Sequence, residues 1–429
     1  MHINLGEINR DRFNVEDRFI EGYGPVVLVC SNKTTHDWQY DELHLRSLLC
    51  DPDGEIISSG FKKFFNYGER EDLDAITADL IENGTVYYPN KMDGSLIVRD
   101  VLHPKDGSDP FVHFRTRGSH HLGDFHTPVM SMMKERYPRV FDTMYDQSIS
   151  ALFEYTSPNN RIILKYEEAE LTLLGGMKRS RNVPYFVWAT PDLNLEIAGE
   201  LGVNALVFHD LPSDPKELVK IVKAWPDAEG IVAWCETGDM IGYDGVEHVI
   251  HMAKIKAWDY IRLHSLKYAF SGKKLRKMCY AAGIEDIEAL RAALFAFGVD
   301  WETLTLFRPD FEEYINERNA RKEHILKFIE AYSLTGLKGA CSRKDIALQS
   351  KQYCKDQGEP KMFSVCMAFA FDNTDKMNRM IDAYSLGITA TGLSIYREQG
   401  QSLFDGLKPF MEVFEERMEM MTEGSDADD

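Results

Sequence analysis

The spacing of apolar positions changes character about three-fifths of the way along the chain. Up to about residue 263, apolar residues fall in short runs rich in Val, Ile, Leu, Phe and Tyr, separated by turn residues. This pattern predicts strands over 26–30, 45–49, 55–58, 85–88, 95–99, 152–155, 161–166, 171–174, 230–234 and 249–257. Asp51-Pro-Asp-Gly closes a hairpin between the second and third of these, and Ser157-Pro-Asn-Asn turns the chain again. Helical spacing interrupts the strands at 72–82 and 215–224. Beyond about residue 273 the helical period takes over. Ile287, Leu290, Leu294 and Phe297 share one face of a helix over 286–297, with Gly283 before it and Gly298 after it. Ile325, Phe328, Ile329 and Tyr332 mark a second helix over 311–332. Further helices are predicted at 375–384 and 407–421, with Pro409 in the first turn of the last, where proline is tolerated. The expected class is α+β. A largely antiparallel sheet domain spans 1–263, an all-helical domain spans 264–422, and an acidic, disordered tail occupies 423–429. No internal repeat is evident.

Composition narrows the classes of function. The 429 residues suffice for two or three domains. No apolar run is long enough to cross a bilayer, and the stretch from Met1 to Glu7 lacks the basic and apolar regions of a secretion signal. The seven cysteines are dispersed and include no C-x-x-C pair, which suits small buried thiols in a reducing, cytoplasmic setting. The net charge of −20 argues against a protein that coats nucleic acid indiscriminately, but it leaves room for a local basic groove.

Candidate chemistry begins at Lys91-Met-Asp-Gly, set between two strand-like runs. A lysine there can act as a nucleophile on a nucleotide phosphate; equally, Asp93-Gly94 is a strong hairpin signal. Glu154, in Phe153-Glu-Tyr, puts a carboxylate inside an apolar strand, and Glu229, in Glu229-Gly-Ile-Val, repeats that arrangement. Gly230 allows a ligand to approach the backbone closely. Lys254 and Lys256 lie two apart and share a strand face, so an anion or solvent must relieve their repulsion; an edge strand guarded by lysines is the alternative. Lys62-Lys63-Phe64-Phe65-Asn66 mixes cations with aromatics, as a phosphate-and-base surface does. Arg115 and Arg117 offer two guanidinium groups beside Gly118, and Arg46 sits in an apolar strand before the first hairpin.

In this order the segments resemble the bacteriophage RNA ligase 1 family of the covalent nucleotidyltransferase superfamily. The resemblance rests on Lys63-Phe-Phe-Asn, Lys91-Met-Asp-Gly-Ser, Arg117-Gly-Ser, Phe153-Glu-Tyr with Pro158-Asn-Asn-Arg-Ile-Ile, Glu229-Gly-Ile-Val-Ala and Lys254-Ile-Lys. It covers about residues 46 to 264, and it continues more weakly around Cys341-Ser-Arg-Lys-Asp. It implies an antiparallel-sheet, ATP-grasp-like ligase domain followed by a helical domain that adds RNA preference. It further implies an ATP-dependent RNA ligase with Lys91 as the adenylated nucleophile. Glu154 would meet the AMP ribose, and Glu229 would position a metal, Mg2+ or Mn2+. Lys254 and Lys256 would contact phosphates. Arg46 and Lys63 match positions needed for ligation, Phe65 matches an aromatic position, and Arg117 stands where the family has lysine. The implied partners are RNA 5′-phosphate and 3′-hydroxyl ends, with cleaved tRNA as a setting for repair. The expected protein is a monomer in the cytoplasm, that of the host if the gene is phage-borne.

A DNA ligase or mRNA capping enzyme shares the lysine chemistry but carries an OB-fold after the last lysine motif, where this chain turns helical. A fungal-type tRNA ligase needs further modules, and no G-x-x-x-x-G-K-[ST] string occurs. A catalytically silent RNA-binding relative would lack the nucleophile or a carboxylate. His120, His121 and His126 cluster, but no cysteine or carboxylate completes a zinc spacing.

Overall fold

Strand parity fixes the layers around which the first part of the chain is built. The computed structural model describes residues 2–32, 38–144, 147–179, 184–237, 250–269, 272–295, 308–336, 342–389 and 392–405. The chain divides into two units, Met1–Ile261 and Arg262–Asp429. The division falls inside one helix, Trp258–Ala269.

Within the first unit, β1 (Phe13–Ile20), β2 (Gly24–Ser31), β3 (Ser47–Cys50) and β4 (Ile56–Ser59) form an antiparallel sheet in chain order. Two five-stranded sheets follow. One runs β11-β10-β9-β7-β8, from Tyr185–Val187, Glu170–Lys178, Ile149–Thr156, Ser95–Leu102 and Phe111–Thr116. The other runs β12-β6-β13-β14-β5, from Phe208–His209, Val86–Pro89, Gly230–Glu236, Ile250–Lys256 and Phe65–Asn66. Every described strand-to-strand ladder is antiparallel except that of β14 with β5, and one isolated parallel bridge joins Thr172 to Asn204. Phe153 and Tyr155 face outward onto Val129 and Met133 of the helix His126–Arg136. Leu152, one residue out of phase, faces Trp234 of the other sheet. Beyond that second sheet, Ile231, Ala233 and Ile255 pack on Ile81, Leu218 and Val222 of the helices Glu71–Asn83 and Pro215–Lys223. The layers are therefore helix, sheet, sheet, helix, with an apolar seam between the sheets.

Among the described residues of the second unit every element is helical: Gly272–Ala282, Ile287–Phe295, Arg308–Ser333, Arg343–Asp356, Phe363–Ala370, Thr374–Ser385 and Leu393–Asp405. One core among its described residues joins Ile325, Phe328, Ile329 and Tyr332 to Val365, Cys366 and Ile381. The expected helix over 407–421 and the tail 423–429 lie outside the described residues, as does Cys341. The six described cysteines are buried and free. No described helix is long and apolar enough to cross a membrane.

Three local expectations need correction. The strand expected over 45–49 starts only at Ser47, because Tyr40–Arg46 winds into a 3-10 helix that buries Leu43 and Leu45; Arg46 ends that helix. No strand forms over 161–166, since the N–H groups of Ile163 and Leu164 are both committed to the Asp93 carboxylate at 2.8 Å. Gly230 is approached by a neighbouring strand, not by space left for a ligand. It has φ +129°, and a Cβ there would lie 2.1 Å from the Ile255 carbonyl oxygen and 2.8 Å from Lys256 Cα. Gly230→Ala is expected to destabilise the fold by about 3 kcal/mol; an unchanged urea midpoint would contradict this packing of β13 on β14.

Candidate active site

Lys91 sits on a crossover, not in a hairpin. The strand before it, β6, belongs to one five-stranded sheet, and the strand after it, β7, belongs to the other. Asp93-Gly94 therefore carries the chain between sheets, and nearly every residue of the passage is tied. Asn90 N–H donates to the Val207 carbonyl at 2.8 Å, and the Asn90 side-chain oxygen accepts from Val207 N–H at 3.0 Å. Lys91 N–H donates to the Gly230 carbonyl at 2.8 Å. The Asp93 carboxylate accepts from Ile163, Leu164 and the Tyr260 hydroxyl, the last at 2.7 Å, and Asp93 N–H donates to the Tyr166 hydroxyl at 3.0 Å. Gly94 N–H donates to Glu154 Oε1 at 2.9 Å. A Cβ at Gly94 would stand 2.3 Å from the Tyr155 carbonyl oxygen, so only glycine lets the crossover lie this close to β9.

The lysine side chain projects into a cleft of about 290 Å³ at the mouth of the seam between the sheets. Arg46, Lys91, Arg117, Lys254 and Lys256 line it together with Glu154, and Phe61, Phe64, Val232, Trp234 and Met252 supply apolar wall. Glu229, buried to 3 % exposure, holds Lys91 Nζ on one carboxylate oxygen and Lys256 Nζ on the other, each at 2.8 Å. Lys254 Nζ lies 5.0 Å from the centre of the Phe64 ring, and the Arg46 guanidinium lies 5.8 Å from it. Lys256 Nζ is 4.8 Å from the Tyr260 ring centre. Burial, reinforced by Lys63, Arg46, Lys91 and Lys256, pulls the Lys254 ammonium down to about 7. Burial and the Arg117 charge bring Arg46 down to about 10. Glu154 is pushed up to about 8 by burial, against the pull of Lys91. Five cations thus converge on two carboxylates in a chain of net charge −20. Such a half-dry cleft favours a polyanion carrying an apolar or aromatic part.

Seven expected residues meet here: Arg46, Lys91, Arg117, Glu154, Glu229, Lys254 and Lys256. Lys63 and Phe65 do not line the cleft. In β5 the residues alternate, and Phe65 lies opposite Ala253 on the buried face, 6 % exposed. Lys63 stacks over Phe65 at 4.6 Å and approaches Glu69 at 3.7 Å. Phe64, on the opposite parity, takes the cleft position. Arg115 likewise does not join Arg117, because the strand ends at Thr116 and Arg115 is fully buried. Sequence reading missed Asp93, Tyr166 and Tyr260 as anchors of the crossover. The two tyrosines come from distant segments and carried no local signal; the parity of Phe64 with Lys254 was available once strand pairing was known.

Among the described residues no group of three or more His, Cys, Asp or Glu is placed to hold a metal alone. The oxygen donors in the cleft are Glu154 and Glu229. That set fits a hard cation such as Mg2+ or Mn2+ only when phosphate oxygens complete its shell.

A family model described as RNA ligase matches residues 44–260, half of the chain. Among solved structures, the chain is similar to an archaeal ATP-dependent RNA ligase at 14 % identity, covering 71 % of this chain and 76 % of that one with a TM-score of 0.41. It is similar to a putative ATP-dependent DNA ligase from Aquifex aeolicus at 14 % identity, covering 72 % and 78 % with a TM-score of 0.40. A Naegleria gruberi RNA ligase variant with ATP and Mn matches at 11 % identity, covering 59 % and 96 % with a TM-score of 0.30.

The shifted carboxyl has a consequence for stability. Glu154 titrates near 8 in the fold against an ordinary 4.5, so between these values the native state holds a proton that the unfolded chain releases. Stability is therefore lost as pH rises from 4.5 to 8. Lys254 acts in a higher window, adding stability from about 7 to 10.5. Urea unfolding from pH 5 to 7 should show the wild type losing stability relative to Glu154→Gln; parallel profiles would contradict the half-buried, protonated carboxyl.

Proposed function

Since this chain belongs to the RNA ligase family, we propose that it joins RNA 5′-phosphate and 3′-hydroxyl ends through an AMP carried on Lys91. The observation that carries this reading is the amine of Lys91, held at 2.8 Å by buried Glu229 inside a cleft of converging cations. The site supports an ATP-dependent covalent nucleotidyltransferase of the ATP-grasp-like ligase type.

The chemistry follows from the groups present. Deprotonated Lys91 Nζ attacks the α-phosphorus of ATP; a P–N bond forms, the P–O bond to pyrophosphate breaks, and pyrophosphate leaves. An oxygen of an RNA 5′-phosphate then attacks the same phosphorus, releasing the lysine and leaving a 5′-5′ pyrophosphate end. Last, an RNA 3′-hydroxyl attacks the RNA-derived phosphorus, forms the phosphodiester and expels AMP. Glu229 aims the amine and Asp93 anchors the loop that carries it. Arg46, Arg117, Lys254 and Lys256 take the phosphate oxygens, with guanidinium forks suited to paired oxygens. Lys254, with its charge weakened by burial, regains a proton when a polyphosphate arrives. Glu154, half-buried beside Gly94, accepts from or donates to a ribose hydroxyl. Phe64 and Trp234 give the base an aromatic wall. Lys63 and Phe65 stack on each other outside the cleft.

Glu229 would hold Mg2+ or Mn2+ together with the phosphates, and the ion would neutralise charge on the transferring phosphoryl group. The helical unit reads the RNA. Repair of cleaved RNA, tRNA included, is the proposed setting, by a monomer in the cytoplasm, that of the host for a phage gene. A DNA ligase or capping enzyme fits less well, because the described elements after β14 are all helices.

Incubation with α-labelled ATP and magnesium, without RNA, should label the wild type and leave Lys91→Ala unlabelled; equal labelling of both would remove Lys91 from its role. Chelation with EDTA should stop labelling, and Mg2+ or Mn2+ should restore it, whereas label transfer unaffected by EDTA would contradict the metal requirement. A 5′-phosphorylated single-stranded RNA should circularise, and joining confined to nicked duplex DNA would overturn the RNA assignment.

A further inference from the structure

Behind the cleft wall lies an arginine that the chemistry above does not use. Arg115 of β8 is fully buried. Its guanidinium donates from Nε to Ser58 Oγ at 2.7 Å, from Nη1 to Ser47 Oγ at 2.9 Å and to the Thr116 carbonyl at 3.1 Å, and from Nη2 to the Ser47 carbonyl at 3.3 Å. All four acceptors are neutral oxygens. The nearby carboxylate of Asp100 makes no hydrogen bond to the guanidinium but favours its charge from a distance; its Oδ1 accepts from Ser150 Oγ at 2.5 Å and Arg179 at 3.4 Å. A guanidinium buried on neutral partners is costly compared with an apolar filler. What it holds in place supplies a reason for its presence.

Ser47 is the joint. It too is fully buried, and its hydroxyl donates to the Arg117 carbonyl at 2.7 Å while accepting from Arg115. Both carbonyls flanking the Arg117 side chain, its own and that of Thr116, are therefore pinned by one buried pair. Ser47 also directly follows Arg46 and ends its 3-10 helix. The Ser47 carbonyl accepts from Gly60 N–H at 2.7 Å, and a Cβ on Gly60 would lie 2.7 Å from Ser47 Oγ, so a glycine at position 60 leaves the serine its place beside that strand end. The two arginines that enter the cleft flank strands of different sheets, Arg46 just before β3 and Arg117 just after β8, and the side chains of Ser47 and Arg115 tie these two stretches of chain together.

We propose that Arg115, acting through Ser47, is a positioning residue that fixes Arg46 and Arg117 as a matched pair of forks for the polyphosphate of the incoming nucleotide. This rests on the lysyl-AMP reading. A fork pair gains from fixed geometry because two bidentate contacts must form at once. A lysine at position 115 keeps the charge but cannot reach Ser58, Ser47 and Thr116 together.

The test is a double-mutant cycle read by label transfer from ATP, with thermal unfolding measured in parallel. Ser47→Ala should raise the KM for ATP about tenfold and change the rate at saturating ATP by less than about twofold. Arg115→Lys should raise KM similarly. In an Arg117→Ala background, Ser47→Ala should add less than about twofold to KM, although its effect on melting persists undiminished. A purely structural serine would show the same KM change in both backgrounds, and that result overturns the proposal, as does an unchanged KM in both Ser47→Ala and Arg115→Lys. Should Ser47→Ala not fold, Ser47→Cys, with its weaker donor, completes the same cycle. If wild-type protein takes no label at all, the lysyl-AMP reading fails by itself; the same cycle is then read as tripolyphosphate affinity by calorimetry, where additivity again sinks the positioning role.

Discussion

One buried carboxylate, Glu229, makes the rest of the cleft possible. It sits between two ammonium groups that would otherwise face each other and three further cations across a half-dry space. At an effective dielectric of 20, a pair of unit charges 4 Å apart interacts by about 4 kcal/mol. Without Glu229 the ammonium groups of Lys91 and Lys256 would lose the carboxylate that each now meets at 2.8 Å. With it, the lysines are drawn to the floor of the cleft, and the remaining positive field is left for a ligand. The depressed ammonium of Lys254 shows how close the arrangement runs to its limit: burial and four neighbouring cations bring that group to about 7.

Backbone geometry supports the charge geometry. Gly230 allows β13 and β14 to come close enough that Glu229 and Lys256 meet, and the Gly230 carbonyl also receives the N–H of Lys91. Gly94 lets the crossover lie against β9, so its N–H reaches Glu154. Lys91, Glu229 and Glu154 are thus registered through main-chain N–H groups, those of Lys91 and Gly94. Asp93 completes this by drawing three segments, at 163–164, 166 and 260, onto one residue.

Charge and rigidity together explain why an acidic protein can handle RNA. The global charge of −20 discourages loose association along phosphate backbones, while the cleft concentrates positive potential where a nucleotide would dock.

Much of this was legible from order and period alone. Alternation placed Lys254 and Lys256 on one face, and the apolar runs located Glu154 on a strand and Glu229 immediately before one, because side-chain direction in a strand depends only on parity. The change to helical period marked the second unit for the same local reason. What the linear pattern left undecided was every relation between segments: that Asp93-Gly94 crosses between sheets instead of closing a hairpin, that Phe64 and not Phe65 reaches the cleft, that Arg46 ends a 3-10 helix, and that Arg115 turns inward while Arg117 turns outward. Those outcomes hinge on strand pairing, close glycine contacts and buried hydrogen bonds between residues tens of positions apart. Such pairings are settled only when the whole chain packs, since the free energy that selects them comes from burial shared among distant segments.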